Sequence, residues 1–392
     1  MNATKVAGVR RGFDRRGEIV SEIRNATAMS ITDDPWPLGE ATFVTVAGPT
    51  PIDHNRRPDL TALGSASKLT GRGMRPGTLV ESAVYPGVSE DECGPMLVHA
   101  SSPASGRDFT LGYSPERIRP GDTEHTFERI VEVVAGEDDV TLERIAGVYT
   151  AMVDAGVHRA PSIRVSETAK AIEDTQRNLS IALMNEIALF SDRLDIRTSD
   201  VLAVTCTKWS QLPFRPGLVG GHCIGIDQYY LTGKAEEVGF HPQVILAARR
   251  INYGMGAYVA QKCVKLLASQ GAALRDARVG GLGLTFKENV TDLRSSRFPD
   301  IVVELISFGV TALVHDAMAN ADVAQHEYAV ELQPWEALVD LDAIVLAVVH
   351  RSYPASGLAK SKRMLRPDGA LIDVKSTIDP AVLPIGLEYW SL

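Results

Sequence analysis

The hydrophobic pattern of the chain changes period twice. Up to about residue 164, short apolar runs alternate with segments of helical spacing, the pattern of an α/β domain. Thr42-Phe-Val-Thr-Val46 and Thr78-Leu-Val-Glu-Ser-Ala-Val-Tyr85 read as buried parallel strands. Val131–Thr150 and Ser162–Val165 read as the last helix and strand of this region. From about Ser166 to Ala268 the spacing is helical. Val165, Ala169, Ile172, Gln176, Leu179, Leu183, Ile187 and Phe190 step by three or four and make one mainly apolar face. Lys170, Asp174 and Asn178 recur every four residues on another face. Val244–Leu267 reads as a second long helix. Beyond residue 276 the alternation returns, with strands at Arg278–Leu284, Val310–His315, Asp342–Val349 and Ala370–Val374 and a helix at Asp300–Phe308. The expected fold is α/β: two Rossmann-like domains joined by a helical dimerisation domain, divided as 1–164, 165–268 and 269–392.

Composition narrows the class. With 392 residues, 45% of them hydrophobic, the chain can bury cores for two or three domains. Lysine and arginine number 40 against 49 acidic residues, a net charge of −9, and no basic cluster exceeds short arginine pairs. Nucleic acid is therefore not the expected partner. The four cysteines (Cys93, Cys206, Cys223, Cys263) show neither metal-ligand spacing nor a dense disulfide pattern. No apolar run reaches the roughly 18 residues of a membrane span, and the N-terminus lacks a signal-peptide core. The reading is a cytoplasmic protein without metal or membrane insertion.

The chemistry concentrates in Gly220-Gly221-His222-Cys223-Ile224-Gly225-Ile226-Asp227, where a cysteine sits in a glycine-rich turn with an aspartate one helical turn on. Glycines let backbone approach a ligand, and a reachable thiolate is a nucleophile. Pro49-Thr50-Pro51-Ile52-Asp53 and Pro86-Gly87 follow strands, where open α/β sheets bind ligands. Tyr113-Ser-Pro-Glu-Arg-Ile118 holds Glu116 beside a proline. Asp14, at the end of a short segment, suits the acid that takes ribose hydroxyls, or a helix cap. Gly281 and Gly283 make only part of a dinucleotide fingerprint, and Lys287 just beyond is placed for a phosphate or for solvent.

Tyr113-Ser-Pro-Glu-Arg-Ile118, Lys170 with Asp174 in Ala169-Lys-Ala-Ile-Glu-Asp-Thr-Gln-Arg177, Gly220–Asp227 and Gly283-Leu-Thr-Phe-Lys-Glu-Asn289 occur in this order. The set resembles the nucleotide-sugar (UDP-glucose/GDP-mannose) dehydrogenase family, and most the branch acting on UDP-N-acetylhexosamines. The resemblance implies oxidation of a UDP-sugar at C6 to the uronic acid by two hydride transfers to NAD, in a homodimer serving surface-polysaccharide synthesis. It implies that Cys223 attacks the aldehyde to give a thiohemiacetal and then a thioester, that Lys170 steadies the alkoxide, and that Asp227 moves a proton or positions water. Asp174 belongs to the same catalytic group. Glu116 matches the carboxylate that assists thioester hydrolysis. Asp14, Pro49, Thr50, Ala83 and Glu116 fall at cofactor positions. Arg215, Gly220, Phe286, Lys287 and Arg294 fall at substrate positions.

The departures from that pattern are specific. Relative to the family pattern the chain is read as lacking the opening strand and its glycine turn, so weak NAD binding is expected. Ala83 stands for a usual threonine, and Asp174 for a usual asparagine. An amide can donate to an oxyanion; an ionised carboxylate cannot. The alternative expectation is a degenerate, non-catalytic homologue that binds UDP-sugar or serves as a dimer partner.

Overall fold

The computed structural model describes residues 30–53, 58–82, 84–100, 109–118, 122, 124–221, 223–353 and 364–392. The chain divides into two compact units: Met1–Asp174 with Ile226–His241, and Thr175–Gly225 with Pro242–Leu392.

In the first unit, β1 (Phe43–Val46), β2 (Thr78–Ser82) and β3 (Phe109–Tyr113) pair in parallel, Val44 against Val80 and Leu79 against Thr110. The sheet continues through β4 (Glu132–Gly136), antiparallel to β3, to β5 (Val157–Arg159), which is parallel to β4. Helices α1 (Thr61–Gly73), α2 (Gly94–Ala100) and α3 (Asp139–Thr150) connect the strands. The α3 start is set by Asp138, whose carboxylate accepts from Thr141 N at 2.7 Å and satisfies a first-turn donor. Val44, Val46, Leu63, Val80, Leu97 and Tyr113 form one core cluster; Leu79, Val134, Ile145 and Ala146 form a second.

Two assignments differ from the periodicity. Val131–Thr150 is a strand followed by a helix, because the apolar run of β4 joins the helical spacing of α3 with only Glu137 and the Asp138 cap between them. Ser162–Val165 is not a strand; Ile163 opens α4 (Ile163–Arg193), and the last strand is β5. The expected loss of an opening strand and glycine turn falls on residues 1–29, which lie outside the described residues.

Helix α4 runs across the boundary between the two units. Its buried residues include small and polar ones, among them Ser166, Glu167, Ala171, Thr175, Asn178, Ala182, Asn185 and Ala188. The apolar stripe read from the sequence lies largely in the open: Val165 is 48% exposed, Ile172 54%, Leu183 53% and Phe190 59%.

The second unit also contains α5 (Thr198–Thr205), α7 (Gln243–Ser269) and the second sheet; α6 (Cys223–Glu237) crosses the boundary. Helix α7 buries Ala248, Asn252, Met255, Val259, Cys263 and Leu267, a row at helical spacing. The sheet is all parallel in the order β10-β9-β8-β6-β7, with β6 (Arg278–Leu282), β7 (Thr311–His315), β8 (Leu341–Leu346), β9 (Leu365–Asp373) and β10 (Glu388–Ser391). Central β8 is buried along its whole length, as a strand covered on both faces must be. Its side chains alternate: Ala343 and Val345 join the cluster containing α7 and α8 (Phe298–Ser307), while Ile344 and Leu346 join the cluster on the other face. Helix α9 (Ala321–Tyr328) follows β7 and is capped by Asn320, which accepts from Val323 N.

Candidate active site

In the first unit the parallel strands β1, β2 and β3 deliver three loops to one edge of the sheet. These loops are tied from below and from the side. Tyr113 is fully buried and its hydroxyl donates to Val84 O at 2.9 Å. Glu167 of α4, also buried, accepts from Gly87 N at 2.6 Å and Ser89 N at 3.0 Å; burial pushes its carboxyl up to about 7. Tyr230 of α6 donates to the Thr50 and Pro51 carbonyls and stacks on Tyr85 at 4.4 Å. Pro49 stays exposed in the loop after β1. Arg117 reaches across to Glu173 of α4 at 2.8 Å, so the loop carrying Glu116 is tied beside the helix that carries Lys170 and Asp174. Glu116 itself is exposed and accepts from Ile118 N at 2.7 Å. Asp14 and Ala83 lie outside the described residues.

Lys170, Asp174 and Asp227 come together. Lys170 Nζ approaches Asp174 Oδ2 at 3.0 Å, as an ion pair without a well-directed hydrogen bond. Asp174 is hydrogen-bonded in turn to Asp227. Two carboxyl groups can share a hydrogen bond only if one holds a proton. Burial, then the bond to Asp174 and its charge, holds the Asp227 carboxyl well above the usual carboxylate range, with Lys170 opposing. Lys170, Asp174 and Asp227 thus form one row, with Asp227 the member held toward its acid form. Asp227 lies one turn into α6, the helix that Cys223 opens; the Cys223 side chain is outside the described residues. Asn178 does not join this row. It accepts from Asn252 Nδ2 at 3.0 Å within the second unit.

The second unit carries a cavity of about 420 Å³ of empty space, part of it continuous with solvent. It opens where the strand order reverses, beyond the ends of β6, β8 and β9, the place where a doubly wound sheet leaves a crevice. Gly220, Phe286, Lys287, Arg297 and Lys375 are among its lining residues. Cations predominate: Lys287, Arg297 and Lys375 face one carboxylate, Glu288. Lys375 keeps solvent-accessible surface because it lines an opening, yet protein crowds its ammonium on most sides; that desolvation lowers its pKa against the pull of Glu288.

The glycines of this wall are there for contact. A Cβ on Gly220 would lie 2.6 Å from the Ser295 carbonyl oxygen, and one on Gly221 would lie 2.9 Å from the Phe286 ring. Gly221 also has φ +92°, which side chains avoid. An asparagine ladder fixes the approach to this turn. Asn185 Nδ2 donates to Asn252 Oδ1 at 2.8 Å and to Gly217 O at 3.1 Å, while Gly217 N donates back to Asn185 Oδ1 at 2.8 Å. A Cβ at Gly217 would reach 2.8 Å from Lys375 Nζ, so the ladder and the cavity cation share this point.

Of the residues read from sequence as substrate contacts, Gly220, Phe286 and Lys287 line the cavity. Arg215 is exposed, and Arg294 is engaged with Asp292. Lys375 and Arg297 were not read from the sequence. Lys375 follows a strand end, which is a signal for a ligand site; Arg297 carries no signal of its own.

Three parts of the UDP-glucose/GDP-mannose dehydrogenase family match: the NAD binding domain over residues 15–153, the central domain over 164–254 and the UDP binding domain over 280–380. Protein CapL of Staphylococcus aureus is 43% identical over 100% of this chain and 93% of its own length. A UDP-N-acetyl-D-glucosamine 6-dehydrogenase of Pseudomonas aeruginosa is 42% identical over 97% of this chain and 90% of its own. Among solved structures, a UDP-D-ManNAc dehydrogenase from Pyrococcus horikoshii superposes with a TM-score of 0.86 at 22% identity, over 100% of this chain and 91% of that one, a likeness of fold. The chain belongs to the UDP-glucose/GDP-mannose dehydrogenase family, as an NAD-dependent dehydrogenase of nucleotide sugars.

Proposed function

We propose that this chain oxidises a UDP-N-acetylhexosamine at C6 to the uronic acid, for use in a surface polysaccharide precursor. The observation that carries the reading is the Lys170–Asp174–Asp227 cluster on and beside the helix that Cys223 opens. The 42% identity to a UDP-N-acetyl-D-glucosamine 6-dehydrogenase supports the sugar class. The family matches at 15–153, 164–254 and 280–380 support a division into cofactor, central and UDP domains at about 164 and 268.

The residues divide the chemistry. Phe286, Lys287, Arg297 and Lys375 hold the UDP end, where three cations suit a diphosphate. Arg215, Gly220 and Arg294 belong to the substrate side in the same reading. Bound NAD supplies the acceptor for a hydride from C6 in each of two oxidations. The parallel strands β1–β3 with their braced loops fit such a cofactor at Pro49, Thr50 and Glu116, with Asp14 and Ala83 assigned by resemblance. Lys170 stabilises the alkoxide as the C6 hydroxyl gives up its proton. The Cys223 thiolate then adds to the aldehyde carbon to form a C–S bond, and loss of the second hydride leaves a thioester. Water, positioned by Glu116, adds to the thioester carbon; the C–S bond breaks and the thiol returns. Asp227 is the proton carrier, because burial, helped by Asp174 beside it, favours the protonated form of its carboxyl.

The exposed apolar residues Val165, Ile172, Leu183 and Phe190 along α4 support a homodimer, since such side chains gain from cover by a partner. Phe190→Asp should shift the chain to monomer in light scattering; an unchanged mass would remove this part of the proposal.

The test of function is NADH formation with UDP-N-acetylglucosamine, UDP-N-acetylgalactosamine and UDP-glucose. The expected result is faster turnover of a hexosamine than of UDP-glucose, and a Cys223→Ala variant that makes no uronic acid. UDP binding without NADH formation from any of the three would overturn catalysis and favour a non-catalytic UDP-sugar binder, the reading that Asp174 and Ala83 motivate.

A further inference from the structure

In a dinucleotide-binding sheet the acid that ends the second strand accepts from ribose hydroxyls. The second unit has an acid at that position, Asp316 after β7, and its side chain has no exposure at all. Its acceptors are taken. Oδ2 receives Leu284 N at 2.5 Å, Thr285 N at 2.9 Å and His350 Nε2 at 3.1 Å. Oδ1 receives Met318 N at 2.7 Å and Ala319 N at 2.8 Å. Burial would raise this carboxyl, but His350 and the backbone donors outweigh it and bring it to about 2.

His350, likewise without exposure, completes the lock. Its Nδ1 accepts from Asn289 N at 3.0 Å, which leaves Nε2 to carry the ring proton toward Asp316 and the Thr285 hydroxyl, 3.2 Å away. Thr285 Oγ1 donates to Lys287 O at 3.0 Å, and Asn289 Oδ1 accepts from Arg351 N at 2.8 Å. Leu284, Thr285, Lys287 and Asn289 are therefore each fixed by a named side-chain bond; Phe286 stands among them, and Phe286 and Lys287 line the cavity. The partial glycine signature is likewise occupied from within. A Cβ on Gly283, at φ +98°, would lie 2.5 Å from Val348 Cβ, so that glycine admits a neighbouring strand end rather than a phosphate.

We propose that Asp316 and His350 are positioning residues of the nucleotide subsite: they commit the acid that would otherwise hold a dinucleotide ribose to the loop carrying Phe286 and Lys287, presetting it for a uridine diphosphate. This rests on the reading of the cavity as the UDP site. A loop already fixed loses little conformational freedom on binding, and that saving appears in affinity.

Calorimetric titration with UDP, beside steady-state kinetics, tests it on the full chain. His350→Phe should weaken UDP by about tenfold or more and raise the KM for UDP-sugar correspondingly, while kcat falls no more than about twofold and the KM for NAD holds. His350→Asn keeps an acceptor for Asn289 N–H and should restore most of the affinity. Asp316→Asn, an independent way to loosen the same loop, should follow His350→Phe. UDP affinity unchanged in both His350→Phe and Asp316→Asn would overturn the proposal, as would a parallel loss of UDP binding, NAD binding and kcat with no rescue by asparagine. A Lys287→Ala control separates the layers. If it weakens UDP and the His350 variants do not, the positioning role fails alone; if the unaltered chain does not bind UDP, the reading of the cavity fails with it.

Discussion

Two buried acids, one in each sheet, meet opposite fates. Glu81 of β2 is 2% exposed, and its Oε2 has no partner among the described residues. Burial pushes its carboxyl up to about 7; Thr45 and Ser114 oppose this, and nearby Glu132 adds to it. Asp316 has a side chain with no exposure, yet four backbone N–H groups and His350 bring it to about 2. Burial is common to both, so burial does not decide the charge. The number of donors turned toward each oxygen does. The second unit thus carries a fixed anion that organises a loop, while the first carries an acid whose charge depends on the surrounding pH.

The largest break in this comparison is Asp316→Ala. It removes the acceptor of four N–H groups and the carboxylate beside His350 Nε2, and should cost roughly 3–5 kcal/mol in urea unfolding. A loss within experimental error would contradict the account. The pH dependence comes next and differs in sign between the two acids. Asp316 sits below its ordinary value, so its contribution is full above about 4 and is lost as pH falls toward 2. Glu81 sits above its ordinary 4.5, so the folded chain binds more protons than the unfolded one between there and about 7. Its effect is nil below that window, and stability falls as pH rises through it, by about 3 kcal/mol. Unfolding of Glu81→Gln at pH 5 and pH 8 should show this fall much reduced; an identical slope in both chains would refute it.

Smaller effects sharpen the site itself. Gly220→Ala drives a Cβ against the Ser295 carbonyl, and UDP should bind about tenfold more weakly in a calorimetric titration. Asp174→Asn removes the charge that helps hold the Asp227 proton and supplies an amide donor. Turnover should rise a few-fold, and the alkaline limb of the rate profile should move to lower pH. A profile that stays in place would show that Asp227 does not carry the reacting proton.

The parts legible in the sequence are those with a long or strict period. Helix α7 appears within two residues of its expected ends, since Met255, Val259, Cys263 and Leu267 repeat on one face. Strands β6 to β9 were legible as apolar runs closed by turn residues, and the four motifs carried the family. Periodicity failed where it had to say what covers a face. The stripe Val165, Ile172, Leu183 and Phe190 is real, but it lies open while Glu167, Asn178 and Asn185 are buried in hydrogen bonds. Single residues from distant strands were not legible at all. Lys375 and His350 acquire meaning only when β8 and β9 end beside the loop after β6, a register that no local pattern encodes.

The most direct measurement is stoichiometry: a limiting amount of UDP-N-acetylglucosamine consumed to completion with excess NAD, counting NADH and identifying the sugar product. The proposed capture of the aldehyde by Cys223 before release predicts two NADH for each sugar and uronic acid as the product. One NADH for each sugar with free aldehyde in solution, or no NADH from a chain that binds UDP, would contradict it.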